Sequence, residues 1–457
     1  MTQEELGALG ACETADAIRE GRLTAREAVD AAIARIEARN APINAVIVKD
    51  YERARKLADE MDASGLTGDR RPLVGVPMTV KESNNVEGLP STWGFEAFAD
   101  YIAPSDSVVV GRLKAAGAII IGKTNVPVAL ADWQSYNPIY GRTVNPHNHE
   151  RSPGGSSGGS AAALASGMVA LEIGSDIGGS IRAPAHLCGV FGHKPSYGIV
   201  SRRGAAIPNT DGVEPPFSCI GPLARHAKDL SVALDVIAGP ESDKGYKLDL
   251  PKSRVSSLKG ARVLVMNDFL DVKADEDTRG AVASLSDALK DAGAIVSDDT
   301  SALPSLEEMR DTYIKMLNII TSRGTPRARP VPTHQWMNMQ DKQLEMTRKM
   351  ARVFDQYDVL ITPTLSVPAF PIQEDEDWDK REIVIDGVSV PYGSQVSWAT
   401  IATFAGLPCT VVPVAKSREG LPIGLQVISA PYADKTTLAF AGLLEQAGLA
   451  STMLAGE

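Results

Sequence analysis

Apolar positions along the chain follow two rhythms, one helical and one strand-like, and the two alternate for most of its length. Thr24 with Glu27 three residues on, ahead of Ala28, Val29, Ala32, Ile33 and Ile36, reads as a capping box that opens an amphipathic helix stopping near Asn40 and Pro42. A second helix is expected over 51–61. The run 72–81, PLVGVPMTVK, is apolar and punctuated by Pro and Gly, and its last four residues alternate as a strand does. Lys81 therefore stands where a strand meets a loop. Residues 107–116 read as a helix closed by Gly117, and 118–121 as a short buried strand.

The stretch 151–182, RSPGGSSGGSAAALASGMVALEIGSDIGGSIR, holds two serine-glycine turns, 154–160 and 177–180. The segment between them has hardly a bulky side chain, so two backbone loops can come close. Here 161–168 is expected to be helical, 169–173 extended and 181–186 helical, leaving 176–180 as a tight connection. The texture changes over 244–356, with a strand at 261–266, a helix at 275–291, a strand at 295–297 and then a polar segment, 323–349, rich in Arg, Pro, Met and Gln. This portion is expected as a peripheral lobe or insertion. Strands return at 359–362, 409–414 and 423–428, and a helix at 435–446 closes the chain. Helices alternating with short β-branched runs predict an α/β fold: one large domain over 1–457, with a mixed central sheet covered by helices on both faces, most of its strands buried on both sides.

Composition sharpens this picture only at a few points. With 457 residues, 44% hydrophobic and 23% charged, the chain suits a packed enzyme and not a disordered or fibrous protein. A net charge of −11 without a basic run excludes a nucleic-acid footprint and fits a neutral or cationic small substrate. Cys12, Cys188, Cys219 and Cys409 are far apart, which predicts buried, inert thiols in a reducing compartment. The N-terminus MTQEELGALG is acidic where a signal peptide would be basic, and no run reaches the ~18 apolar residues of a membrane span. A cytoplasmic protein with no membrane partner is expected.

Three chemistries compete for the glycines. Residues 117–124, GAIIIGKT, satisfy the P-loop expression letter for letter, but 118–121 is β-branched where a phosphate cradle should be flexible, and Thr124 leads into Asn-Val-Pro instead of a helix. Residues 154–158 fit G-x-S-x-G, yet the polar loop 145–153 stands where a nucleophile elbow needs a strand, and His186, His193, His226 and His334 are isolated. His147 and His149 lack a third ligand, so no metal site is expected. The remaining chemistry is a serine activated by lysine. Ser180 follows consecutive amides at Ile177, Gly178 and Gly179, and the two glycines, lacking side chains, let a carbonyl approach. A lysine with an ordinary pKa of about 10.4 must be desolvated to act as a base, and Lys81 at the end of a buried strand meets that need. Ser156, in the other turn, is placed to relay the proton.

These residues resemble the amidase signature family. The resemblance rests on GGSSGG at 154–159, DIGGSIRAP at 176–184 and GVPMTVK at 75–81, and extends to GKTN at 122–125, YDVLITPT at 357–364 and AGLP at 405–408, most of the chain. It implies an acyl-enzyme on Ser180, a proton relay through Ser156, held by a cis peptide bond, to neutral Lys81, and an oxyanion site of the Ile177, Gly178, Gly179 and Ser180 amides. Ser157, Asp176 and Arg182 would be the supporting network, and no cofactor is implied. Glu82 departs from the family, many members of which carry Asp there.

The family holds free-standing amidases and the glutaminase subunit of a tRNA-dependent amidotransferase. That subunit carries an acidic residue some nine positions before AGLP, where this chain has Val396, and a Tyr- and Arg-rich loop ahead of YDVLITPT, here THQWMNMQDKQ. The departures favour a free-standing hydrolase, monomeric or homodimeric, of less polar amides, with carbamates, anilides and esters open to the same chemistry. Trp93, Tyr136, Trp336 and Trp398 are candidate pocket walls, and the variable segments 323–349 and 369–398 are expected to shape the pocket.

Overall fold

In the computed structural model, which describes residues 3–210, 214–241, 244–323, 325, 328–375 and 377–456, the capping box at Thr24 is formed. Thr24 Oγ1 accepts the Glu27 N–H at 3.1 Å and Glu27 Oε2 accepts the Thr24 N–H at 2.9 Å. The helices in chain order are α1 Gln3–Ala8, α2 Ala11–Arg19, α3 Ala25–Arg39, α4 Tyr51–Ala63, α5 Val108–Ala115, α6 Gly158–Ala165, α7 Arg182–Cys188, α8 Ala227–Ile237, α9 Glu276–Asp291, α10 Leu306–Ser322, α11 Thr333–Gln356, α12 Val396–Phe404 and α13 Asp434–Gln446. The strands are β1 Val46–Lys49, β2 Pro77–Lys81, β3 Ile119–Thr124, β4 Ser135–Asn137, β5 Gly141–Thr143, β6 Leu171–Asp176, β7 Phe191–Lys194, β8 Cys219–Ala224, β9 Arg262–Val265, β10 Ile295–Ser297, β11 Val359–Pro363, β12 Glu382–Ile385, β13 Val388–Pro391, β14 Cys409–Lys416 and β15 Pro422–Ile428.

An eight-stranded mixed sheet in the order β10-β9-β11-β15-β14-β7-β8-β6 forms the centre, parallel at β10/β9/β11 and antiparallel elsewhere. Alternation along β15 shows why both faces are covered. Gly424 lies against the His186 backbone of α7 and Gln426 accepts from Arg182, while Leu425 and Val427 join the main core with Leu438 and Phe440 of α13. A three-stranded sheet, β1-β3-β2, stands beside β6, joined to it by the Thr79 hydroxyl donating to Glu172 Oε1. This brings the end of β2 to the end of β6.

Segment 244–356, expected as a lobe, gives the large sheet its edge strand β10 and the adjacent β9. Its α10 and α11 pack with α12 in a second cluster that includes Tyr313, Met316, Met346, Met350, Trp398 and Phe404. Most of the polar stretch 323–349 is the first two thirds of α11, a helix that the apolar pattern does not announce. The buried residues of α11, Met346, Met350, Val353 and Phe354, all lie in its C-terminal half. Gly324, Pro326 and Arg327 of that stretch and Glu376 of 369–398 lie outside the described residues. α6 starts at Gly158 instead of 161, and its Gly159 packs where a Cβ would sit 2.3 Å from the Asn125 nitrogen.

Candidate active site

The two turns and the strand end converge. β2 pairs in parallel with β3, which sets Lys81 opposite Thr124, and β6 pairs with β8, which sets Asp176 opposite Cys219. Lys81 is fully buried, and its Nζ lies 2.6 Å from Ser156 Oγ, 2.9 Å from Ser175 Oγ and 3.0 Å from Ser157 Oγ. The Gly155–Ser156 peptide is cis.

Burial holds the Lys81 amine well below its ordinary range, with Arg202 adding to the effect and Asp176 and Glu172 opposing it. The partners of Nζ suit the neutral form. An uncharged amine donates two hydrogens and accepts one, and three hydroxyls match that set without a carboxylate in contact. Ser156, at the shortest distance, is placed to donate to the lone pair. Glu172, on the strand that carries Ser175, is pushed up to about 7 by burial, against hydrogen bonds from Thr79, Ser160, Thr124 and the Ile173 amide.

The turn 177–180 is held from three directions. Asp176 accepts the Gly179 N–H at 2.8 Å and the Ile181 N–H at 3.0 Å, and grips the Arg182 guanidinium at 2.9 and 3.0 Å. Burial alone would raise the Asp176 carboxyl, but the charge and hydrogen bonds of Arg182 outweigh it and hold it well below the usual carboxylate range. Arg182 is anchored in turn by Gln426 at 2.8 Å and Thr403 at 2.6 Å. The outward carbonyls are pinned as well: Tyr313 Oη donates to Ile177 O at 2.7 Å and Trp133 Nε1 to Gly178 O at 3.0 Å. Gly179 takes a φ of 98°, a conformation that glycine adopts at little cost.

Of the four amides expected to face an oxyanion, that of Gly179 is taken by Asp176. Among the described residues the amides of Ile177, Gly178 and Ser180 have no protein partner, nor does Ser180 Oγ. The link between the turns is the Ser157 N–H, which donates to Ser180 O at 3.2 Å. Ser180 is 6% exposed, and Ile177 and Gly178 beside it are half-buried.

The aromatic residues expected as pocket walls take four different environments. Trp398 is core, 1% exposed, donating to Ser366 Oγ at 2.9 Å. Trp336 is half-buried against the second cluster, Trp93 is buried with its amide on Glu82, and Tyr136 is 48% exposed beneath the Arg142 guanidinium. The sequence pattern does not single out Trp133, Tyr313 or Ser175. Ser175 has a local signal, being the penultimate residue of a strand that ends in Asp176; the other two reach the turn only through the fold. The rival motifs are also accounted for. The 117–124 run contains β3, and Lys123 is buried, donating to Ser91 Oγ at 2.6 Å. His186 bonds backbone at Gly424 and Val367, His193 bonds Thr410 and Asp434, His226 bonds Glu445, and His147 Nε2 lies 3.0 Å from Cys188 O. His149 and His334 are exposed.

A family model described as Amidase matches residues 27–322 and 317–438. A glutamyl-tRNA(Gln) amidotransferase subunit from Deinococcus radiodurans is 33% identical over 96% of this chain and 97% of its own. Fatty-acid amide hydrolase 2 of Homo sapiens is 31% identical over 97% of this chain and 90% of its own. A solved bacterial aryl acylamidase of the amidase signature enzymes superposes with a TM-score of 0.80 at 26% identity, covering 96% of each chain. With the family model spanning most of its length and relatives matched almost end to end, the chain belongs to the amidase signature family and is an amidase.

Proposed function

We propose that this amidase hydrolyses the C–N bond of a small carboxamide through an acyl-enzyme on Ser180. The observation that carries this reading is the buried 2.6 Å contact between Lys81 Nζ and Ser156 Oγ, next to a turn with unpaired amides and an open hydroxyl at Ser180. Ser180 Oγ attacks the carbonyl carbon while its proton passes to Ser156 Oγ and the Ser156 proton passes to Lys81 Nζ. Negative charge develops on the carbonyl oxygen facing the free amides of Ile177, Gly178 and Ser180, each of which is worth ~3–4 kcal/mol at such a position. Collapse breaks the C–N bond, and the leaving amine takes its proton back along the same path. Water then repeats the sequence and releases the acid. The Ser156–Ser180 step closes with substrate in place, as such contacts often do.

Asp176 and Arg182 act here by holding the turn, and Ser157 and Ser175 by filling the remaining valences of Lys81. Turnover of simple aliphatic amides, anilides, carbamates and esters by the wild type and by Ser180→Ala tests the reading. Hydrolysis of at least one amide class that vanishes in the variant supports it; turnover retained by Ser180→Ala overturns it.

A second reading, a glutaminase subunit, is favoured by the near full-length similarity to the Deinococcus protein. Val396 weighs against it, since an apolar side chain packed between two core clusters offers no charge to an amino group. Release of ammonia from glutamine at a rate matching the best simple amide would favour this second reading.

A further inference from the structure

Glu82 and Lys123 are buried charged residues that the mechanism above does not use. They stand at the neighbouring ends of β2 and β3. Val80 is opposite Lys123, Lys81 is opposite Thr124, and the Glu82 N–H donates to Thr124 O at 3.0 Å. Both side chains are fully buried, and both are spent on one strap of chain, 90–93. Glu82 Oε1 accepts the Thr92 N–H, and Oε2 accepts the Trp93 N–H at 3.0 Å. Lys123 Nζ donates to Pro90 O, and to Ser91 Oγ at 2.6 Å. Buried charges are costly unless hydrogen bonds complete them, so the strap and the two strand ends are tied in one geometry.

Contacts lead from that strap to both turns of the site. Trp93 O accepts the Ala129 N–H at 2.9 Å, and a Cβ on Gly94 would stand 3.1 Å from Val128 Cα, so the strap lies directly on the start of segment 127–134. Trp93, Ala129 and Leu130 have φ values of 55°, 58° and 58°, a left-handed conformation that non-glycine residues keep only where their surroundings impose it. The far end of the segment meets the site twice. A Cβ on Gly155, the residue before Ser156, would stand 2.3 Å from the Asp132 and Gln134 carbonyl oxygens. Trp133 Nε1 donates to Gly178 O at 3.0 Å. One segment therefore packs on the relay turn and holds the oxyanion turn, and its entry is fixed from the residue next to Lys81.

We propose that Glu82, with Lys123 beside it, is a positioning residue for the hydrolysis: through the strap 90–93 it sets segment 127–134, and so the placement of Ser156 relative to the amides of the turn 177–180. This rests on Ser180 being the nucleophile. Neither side chain touches the reacting atoms, so the effect falls on the alignment of groups already bound. A displacement of about 1 Å between reacting groups can cost about a hundredfold in rate.

The test measures kcat and KM on the best amide, with competent sites counted by fluorophosphonate adducts on Ser180. Glu82→Gln keeps the side chain's shape but turns one acceptor into a donor facing an N–H. It is expected to lower kcat per labelled site by about tenfold to a hundredfold while KM stays within about threefold. Glu82→Asp, which keeps both acceptors, is expected to recover part of that loss. Trp133→Phe removes the indole donor at the far end of the same path, and the double variant with Glu82→Gln is expected to lose less than the product of the two single losses. A kcat per labelled site that Glu82→Gln leaves unchanged, however far the melting temperature falls, overturns the proposal. So do an Asp variant no better than Gln and single losses that simply multiply. Should Glu82→Gln not fold, Lys123→Met frees the same strap and is judged by the same kcat per labelled site. Labelling separates the two readings: with no adduct on wild-type Ser180 the nucleophile assignment fails, and with an adduct but an unchanged kcat only the positioning role does.

Discussion

Lys81 is the residue on which the chemistry turns, because a base must be free of its proton at the working pH. Burial depresses its pKa, so activity is expected to be lost as pH falls and to rise through an apparent pKa below the ordinary lysine value of 10.5. Glu172, when ionised, opposes that depression. Glu172→Gln is therefore expected to move the rising limb of the pH–rate profile to lower pH, and a shift to higher pH would contradict the electrostatic account. Lys81→Ala is expected to lower kcat by about 10³–10⁴, measured on the best amide. Arg182 illustrates a different dependence. Arg182→Ala strands the Asp176 carboxylate in the core and is expected to cost about 3–5 kcal/mol in urea unfolding.

Most of these residues are legible in the sequence, since Lys81, Ser156 and Ser180 sit in local patterns with local reasons. Which groups are free is not. That Gly179 gives its N–H to Asp176 and that Ser180 Oγ is unpaired are details of a turn whose carbonyls are also held by Trp133 and Tyr313, far along the chain.

Elements follow the same division. The capping box, the strand ending at Lys81, and the helix and strand on either side of the Gly/Ser turns are readable because their apolar periods are clean. α11 is not, because the first half of its 24 residues buries hardly anything and so carries no period. Strand order is also unreadable: β9 and β10 look like part of a lobe until they pair at the edge of the large sheet. The small-residue helix α6 is closely packed on its neighbours. Gly159→Ala would drive a Cβ to 2.3 Å from the Asn125 nitrogen and 2.8 Å from its carbonyl oxygen, where backbone has to move. Such overpacking is expected to cost about 1–3 kcal/mol or more, read as a lower melting temperature. An unchanged melting temperature would show that α6 can shift without penalty.

At the scale of the whole molecule, the fold brings two distant parts of the chain onto one turn of four residues that its own preceding residue also holds. Asp176 holds it from β6, Trp133 from the loop before β4, and Tyr313 from α10. Tyr313→Phe leaves the part-buried Ile177 carbonyl without its donor, a loss of about 1 kcal/mol. It is expected to lower kcat more than it raises KM, because the turn it loosens carries the amides that meet the oxyanion. Among the described residues no helix is long and apolar enough to cross a membrane. All four cysteines are buried and free, and burial raises each thiol, that of Cys409 to about 12, so none competes with Ser180 as a nucleophile.

The central claim, that neutral Lys81 activates Ser180 through Ser156, is tested most directly by the rate at which a fluorophosphonate modifies the protein as a function of pH, with the adduct located by peptide mass. The account predicts an adduct on Ser180, a rate that rises with pH through an apparent pKa below 10.5, and loss of that reaction in Lys81→Ala. An adduct on Ser156 or Ser157, or a rate on Ser180 that Lys81→Ala leaves intact, would contradict it.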